Sequence, residues 1–303
     1  MEVIKAIIFG IVEGLTEWLP ISSTGHMILL NQWLHLDTSE AFWEMFLVVI
    51  QLGAILAVIV LYFKEMLPFS IGPAAPGGRS QKKGFHWSKD ALLLWLKTAV
   101  AVLPAVIVAL PFDDRINDLF YTPLTVAMML IAYGILFILI EHWNKNKAFA
   151  ITDLSQITFK MALFIGIFQL LALIPGTSRS GATIIGAMLL GISREAGTKF
   201  TFYLAVPVMF GASLLKLVKY FLASPGLQVA AAAPDAGQLV SGARCFTQSE
   251  AAILISGMAA AFIVSIIAIR FLMNYIKKHS FTAFGVYRIA LGICVFIYFY
   301  FAQ

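Results

Sequence analysis

The sequence predicts an all-α polytopic membrane protein, with about six full transmembrane helices and two re-entrant helical hairpins arranged as an inverted-topology repeat. Three observations carry this. The 303-residue chain is 60% hydrophobic and only 12% charged, where a soluble domain carries about 25% charged residues. Several apolar stretches reach the ~20 residues that cross a bilayer as helix. Two polar segments, 13–26 and 174–183, are each embedded in apolar sequence whose flanking arms are short. Carboxylates, an imidazole and a guanidinium at membrane depth are expensive unless paired or facing a wet cavity.

In chain order, the first arm runs from Val3 to Val12 and returns over Met27 to Leu30, broken by Pro20-Ile-Ser22-Ser23. Its opening looks superficially like a signal peptide, but Glu13 and Glu17 interrupt the apolar region and no small-residue cleavage site follows, so it is expected to stay in the mature protein. Full spans are expected at about 41–63, 90–111, 121–141, 196–222, 250–272 and 284–301. The second hairpin runs from Met161 to Leu173 and returns over Ile184 to Leu190, broken by Pro175-Gly176-Thr177-Ser178. Proline and glycine stop a helix there, and non-helical backbone at depth must line a cavity or pack in protein. Two ordinary helices with a proline kink each are the competing reading. The stretches 68–88 and 224–249, rich in Pro and Gly or Ala, read as flexible connections within one membrane domain. Cys245 and Cys294 have no metal-ligand spacing.

A shift of 156 positions lays Gly10-Ile-Val-Glu13 on Gly166-Ile-Phe-Gln169, and Ser22-Ser23-Thr24-Gly25 on Ser178-Arg179-Ser180-Gly181. Repeat one is then about 1–142 and repeat two about 154–303. Three spans separate the hairpins, so the second enters from the opposite face. Such inverted folds put their sites near the midplane, where interrupted helices meet. Ten Lys and Arg lie in loops on one side (Lys64, Arg79, Lys82, Lys83, Lys89, Lys145, Lys147, Arg194, Lys277 and Lys278) against three on the other (Lys5, Arg115 and Arg244). The positive-inside rule makes the first side cytoplasmic and turns both termini, the first hairpin's mouth and the loops near 112–120 and 223–249 outward. The net charge of +5 has this topological source and implies no nucleic acid.

Glu13 and Glu17 are spaced i, i+4 and share a helix face. Two carboxylates that close in a low dielectric call for a neutralising cation, Mg²⁺ or Ca²⁺ by ligand type, or for one protonated and one ionised member acting as an acid/base pair. Ser22, Ser23 and Thr24 open the returning helix, where free N–H groups form an anion site, and His26 stands one turn on, a spacing that allows an activated hydroxyl. In the second segment Gly176 permits close backbone approach, Ser178, Ser180 and Thr183 offer hydroxyls, and Arg179 offers a fork matched to phosphate. The competing reading of Arg179 is a structural partner of Glu13 or Glu17 with no chemistry. Arg288, after Gly285-Val-Tyr287, reads as a second phosphate contact or as a snorkelling side chain. Acid, base, hydroxyl and arginine together point to phosphate chemistry.

The segments Glu-Gly-Leu-Thr-Glu-Trp-Leu-Pro-Ile-Ser-Ser-Thr-Gly-His (13–26) and Pro-Gly-Thr-Ser-Arg-Ser-Gly-Ala-Thr (175–183) resemble the two signature motifs of the undecaprenyl-pyrophosphate phosphatase family, the BacA-type bacitracin-resistance proteins. The likeness extends to Val48–Val58, Tyr203–Pro207 and Val286–Arg288. It implies removal of the terminal phosphate of a C55 isoprenoid diphosphate, regenerating the carrier for cell-wall glycan synthesis, with stimulation by a divalent metal in a bacterial cytoplasmic (inner) membrane. It also implies roles: Glu13 and Glu17 as the acidic pair, Ser23 and His26 in catalysis, Ser178, Arg179 and Thr183 on the diphosphate, and Arg288 as a functional arginine. Some members carry an acid where this chain has Leu47, with Glu44 one turn earlier. The expected mechanism has Ser23 or a water attack the terminal phosphorus while His26 moves the proton, which leaves the nucleophile open. The expected partners are the lipid diphosphate and the bilayer, with a homodimer left open. The runner-up is a transporter or flippase of an anionic or lipid-linked substrate, for which the hydroxyl–imidazole pair has no use.

Overall fold

The computed structural model describes residues 1–72, 84–222 and 246–301. Six of its helices are long and apolar enough to cross a membrane, and the protein is a multi-pass α-helical membrane protein. The spans are Glu40–Leu61, Lys89–Ala109, Pro123–Asn144, Arg194–Leu222, Gln248–Ile276 and Thr282–Phe301, each within a few residues of its sequence expectation.

The first hairpin consists of α1 (Glu2–Thr16) and α2 (Ser23–Trp33). The first span follows as α3 (Glu40–Val49) and α4 (Gln51–Leu61), stepping once at Ile50, and continues into the short α5 (Phe63–Met66). A two-stranded antiparallel ribbon, β1 (Phe69–Gly72) with β2 (Gly84–Trp87), occupies both ends of the stretch read as a flexible linker, because Phe69 pairs with Trp87 and the backbone groups satisfy one another. The rest of that linker, 73–83, and residues 223–245 of the second lie outside the described residues. Next come α6 (Lys89–Phe120) and α7 (Pro123–Asn144). Here the expected loop at 112–120 is helix instead. Pro111 sits inside α6 and removes only its own amide from the ladder, so the backbone resumes its pattern beyond it. The second hairpin is α8 (Phe159–Leu170), a 3₁₀ turn Leu171–Leu173, and α9 (Arg179–Leu189). The last three spans are α10 (Arg194–Leu222), α11 (Gln248–Ile276) and α12 (Thr282–Phe301).

Each hairpin leans on the opposite half of the chain. In the first, α1 packs along α11, where a side chain at Gly10 would strike the Gly257 carbonyl. In the second, α8 packs along α6, where one at Gly166 would strike the Ala101 carbonyl. Gly10 and Gly166 are the positions that the 156-residue shift superposes, so the exchange is reciprocal. The final helices of the halves also meet: a Cβ at Gly134 of α7 would stand 2.6 Å from the Gly285 carbonyl of α12. Small residues let helices approach where lipid gives no hydrophobic drive between them. Buried Glu141 at the end of α7 accepts bonds from Arg194, which opens α10, and from the Phe281 amide before α12, tying three elements together.

Candidate active site

The backbone of the two turns coincides in an unusual way. Among the described residues, Ser22 (φ 72°) and Ser178 (φ 70°) are the only non-glycines with positive φ, and each precedes an eleven-residue helix. They occupy equivalent places in the two halves. A serine there is strained and persists only because its surroundings hold it. The clamp is Arg288 on α12, fully buried, which donates to the carbonyl of Pro20 (3.2 Å) in one turn and to those of Gly176 and Thr177 (both 2.9 Å) in the other. The N-termini of α2 and α9 are thereby brought to one place. Two turns that each open a helix are thus tied to one guanidinium, and the positive helix ends beside them suit an anion.

On the first hairpin, Glu13 and Glu17 lie one turn apart because the helix continues through the Glu17 amide, which donates to the Glu13 carbonyl at 3.0 Å. Both carboxylates are buried. Ser23 Oγ donates to Glu17 Oε2 at 2.9 Å, and Arg179 Nη2 from the second hairpin meets Glu17 Oε1 at 3.2 Å. The guanidinium is further held by the Thr201 carbonyl at 3.2 Å and lies 5.9 Å from the centre of the buried Trp18 ring. Ser180 Oγ donates to the Glu17 carbonyl at 3.1 Å, a second link between the hairpins. Hydroxyl, carboxylate and arginine thus form one continuous chain across the two halves.

Other site residues are spoken for differently from the sequence expectation. His26 does not bond Ser23; its Nδ1 lies 2.8 Å from the Ser22 carbonyl and its Nε2 2.8 Å from the Tyr287 hydroxyl. Ser22 gives no side-chain cap, whereas Ser178 Oγ accepts from the Gly181 amide at 3.2 Å and lies 3.1 Å from Ser180 Oγ. Thr183 donates to the Arg179 carbonyl at 2.9 Å and accepts from Thr201, so its hydroxyl supports the second hairpin from behind. Gly176 (φ 92°) presses its bare Cα against α7, where a Cβ would meet the Val126 carbonyl at 2.7 Å. The Arg288 terminal nitrogens are committed to the turns. Thr24 is half-buried on the first turn of α2, and Glu44 meets Lys216 in an exposed ion pair.

The remaining polarity is unfinished. Of twelve buried side-chain polar atoms without a partner among the described residues, eight belong to Glu13, Trp18, Ser22, Gln169, Thr177, Arg179 and Arg288. Orphans concentrated in this way are polar groups whose partners come from outside the protein. Gln169 matters especially, because it is buried, stands where the first hairpin has Glu13, and leaves both amide atoms unpaired. Gln169, Tyr287 and Thr201 also touch or line this network without being among the residues that the sequence singles out. The first two were visible in the aligned Gly-x-x-Glu/Gln and the Val-Tyr-Arg segments, while the Thr201 carbonyl has no sequence signal.

Fold and site together define a multi-pass membrane protein with a buried acid–hydroxyl–arginine centre built from two half-sites. The bacitracin resistance protein BacA family matches residues 6–294, and the chain belongs to that family. It is 53% identical over 300 residues to undecaprenyl-diphosphatase 1 of Clostridium acetobutylicum, covering 99% of this chain and 98% of that protein. The undecaprenyl-diphosphatase of Acetivibrio thermocellus is 53% identical over 299 residues (99% and 98% covered), and that of Enterococcus faecalis 52% over 298 (98% of each).

Proposed function

We propose that this protein is an undecaprenyl diphosphatase, a membrane hydrolase that removes the terminal phosphate of the C55 lipid diphosphate. The product is the monophosphate carrier used again in cell-wall glycan synthesis, with bacitracin resistance as the accompanying trait. The observation that carries the assignment to residues is the chain Ser23–Glu17–Arg179, with its hydrogen bonds of 2.9 and 3.2 Å. Ser23, or a water in its place, attacks the terminal phosphorus, and the departing proton goes to Glu17 Oε2, to which the hydroxyl already donates. The P–O bond to the inner phosphate breaks and the lipid monophosphate leaves. Attack by water frees inorganic phosphate at once; attack by Ser23 leaves a phosphoserine, whose Oγ–P bond a water then cleaves to release phosphate and restore the hydroxyl. Arg179 and the N–H groups opening α2 and α9 bear the charge spread over the phosphoryl oxygens. Phosphoryl transfer asks mainly for such positioning and neutralisation.

Glu13 and Glu17 are the residues that would hold a divalent cation. The unpartnered Glu13 Oε1 and the hard oxygen donors fit Mg²⁺ or Ca²⁺. Among the described residues no three His, Cys, Asp or Glu gather around one point. Phosphate oxygens and water would therefore complete the shell. Bound there, the ion supplies neutralisation of diphosphate charge.

The hairpins are re-entrant in this reading, the halves are inverted in a bacterial cytoplasmic membrane, and the site opens outward with both termini. A cysteine introduced within 34–40 should react with a membrane-impermeant thiol reagent in intact cells, and one at 84–86 should not, in a parent lacking Cys245. Reversed labelling would overturn the orientation. The activity itself is tested with purified protein and C55 diphosphate. Phosphate should appear and fall away with chelator, and its absence in a folded, metal-supplied preparation would refute the assignment.

A further inference from the structure

The imidazole of His26 is fixed at both nitrogens by groups of unequal kind. Its Nδ1 lies 2.8 Å from the Ser22 carbonyl, which can only accept, so Nδ1 carries the proton. In the neutral ring Nε2 is then the bare nitrogen, and the Tyr287 hydroxyl 2.8 Å away donates to it. The two rings lie almost parallel, 7° apart, with centroids separated by 5.7 Å. Tyr287 is adjacent to Arg288, whose guanidinium clamps both hairpin turns. One turn of α12 therefore holds the strained turns with one residue and the imidazole with the next.

We propose that Tyr287 is a positioning residue for the reaction, holding His26 Nε2 at a fixed place beside the opening of α2. Resting on the hydrolase reading above, this gives His26 a role separate from the Ser23–Glu17 pair. A phenol hydroxyl can reverse its bond, donating to a neutral imidazole and accepting from a charged one. His26 can thus gain or lose a proton at Nε2 without turning its ring or surrendering the Ser22 carbonyl. A carbonyl or carboxylate partner would satisfy only the protonated nitrogen.

The test compares wild type with Tyr287→Phe, which keeps the ring and removes the hydroxyl, and with Tyr287→Leu and His26→Gln. Phosphate release from C55 diphosphate is measured together with ¹⁵N spectra of ring-labelled histidine, the His26 signals being those lost in His26→Gln. Tyr287→Phe should lower kcat roughly tenfold to hundredfold, part of what an acid–base group contributes, with KM and thermal unfolding unchanged. Its His26 Nε2 resonance should move toward that of an unbonded imidazole nitrogen, while the Nδ1 signal stays. Tyr287→Leu should lose at least as much turnover. Unaltered kcat, or an unmoved Nε2 resonance, would overturn the proposal. Full activity in His26→Gln would overturn it too while leaving the hydrolase reading intact. Failure of the wild type to release phosphate would instead strike that reading, and the Nε2 signal would still judge the hydrogen bond.

Discussion

The two hairpins are alike in backbone and unlike in chemistry. Both break at a serine with φ near +70°, both return through an eleven-residue helix, and both pack their first arm on a span of the opposite half. Yet the first contributes Glu13, Glu17, Ser23 and His26, while the second contributes Ser178, Arg179 and Ser180, with Gln169 where Glu13 would recur. A symmetric scaffold brings two helix N-termini together, and an asymmetric choice of side chains makes one half anionic and the other cationic. A carrier of an anionic substrate would use the arginine alone. The proposed bond cleavage uses both halves, with a carboxylate beside the attacking hydroxyl and an arginine on the phosphate.

Removing the cation of the second hairpin should have the largest effect. Arg179→Ala should lower kcat/KM by about 10³–10⁵, the range for arginines that stabilise phosphoryl transfer. Arg179→Lys should recover only part of it, because a point charge does not reproduce the fork. Wild-type turnover of a folded Arg179→Ala protein would end the reading of that hairpin as the phosphate half. Next in size are the carboxylates. Glu17→Gln should cost about 10²–10⁴ in kcat, typical for a lost base, and Glu13→Gln somewhat less, both with a weaker response to added metal. An unchanged metal titration would show that the acids are not a cation site.

Exchanging the pair, Glu13→Gln with Gln169→Glu, keeps composition and net charge and moves one carboxylate to the other half. Turnover should fall as far as in Glu13→Gln alone; activity retained by the exchange would make the halves interchangeable. The smallest effect concerns the strained serines. Ser22 Oγ has no partner, so Ser22→Gly should be neutral or raise stability by up to about 1 kcal/mol as the positive φ is relieved. Ser178→Gly should gain less, because it also loses the cap on the Gly181 amide. Thermal unfolding in detergent distinguishes the two.

Much of this could be read from the chain before its structure. Polar groups inside apolar sequence are costly enough to advertise themselves, which is why Glu13, Glu17, Ser23, His26 and Arg179 are visible in the chain and the six spans lie within a few residues of their expected ends. What stayed hidden depends on which atoms face each other across the halves. Ser23 followed by His26 at i+3 suggests a pair, yet the helix gives the imidazole to the Ser22 carbonyl and Tyr287, and Ser23 to Glu17. Arg288 looked like a phosphate ligand or a snorkelling residue. Its three carbonyl acceptors belong to turns more than a hundred residues away, beyond any periodicity. Tyr287 was masked by the abundance of aromatics in membrane helices, and the helix through 112–120 by a proline that the backbone tolerates.

On the proposed mechanism the acid of one half and the arginine of the other work as a single unit. A double-mutant cycle on Glu17→Asp and Arg179→Lys tests this, since conservative changes leave turnover measurable. If Glu17 and Arg179 act together, kcat/KM of the double variant should fall little further than that of the worse single one, because members of one unit are strongly non-additive. Losses that simply multiply would place the two residues in independent roles.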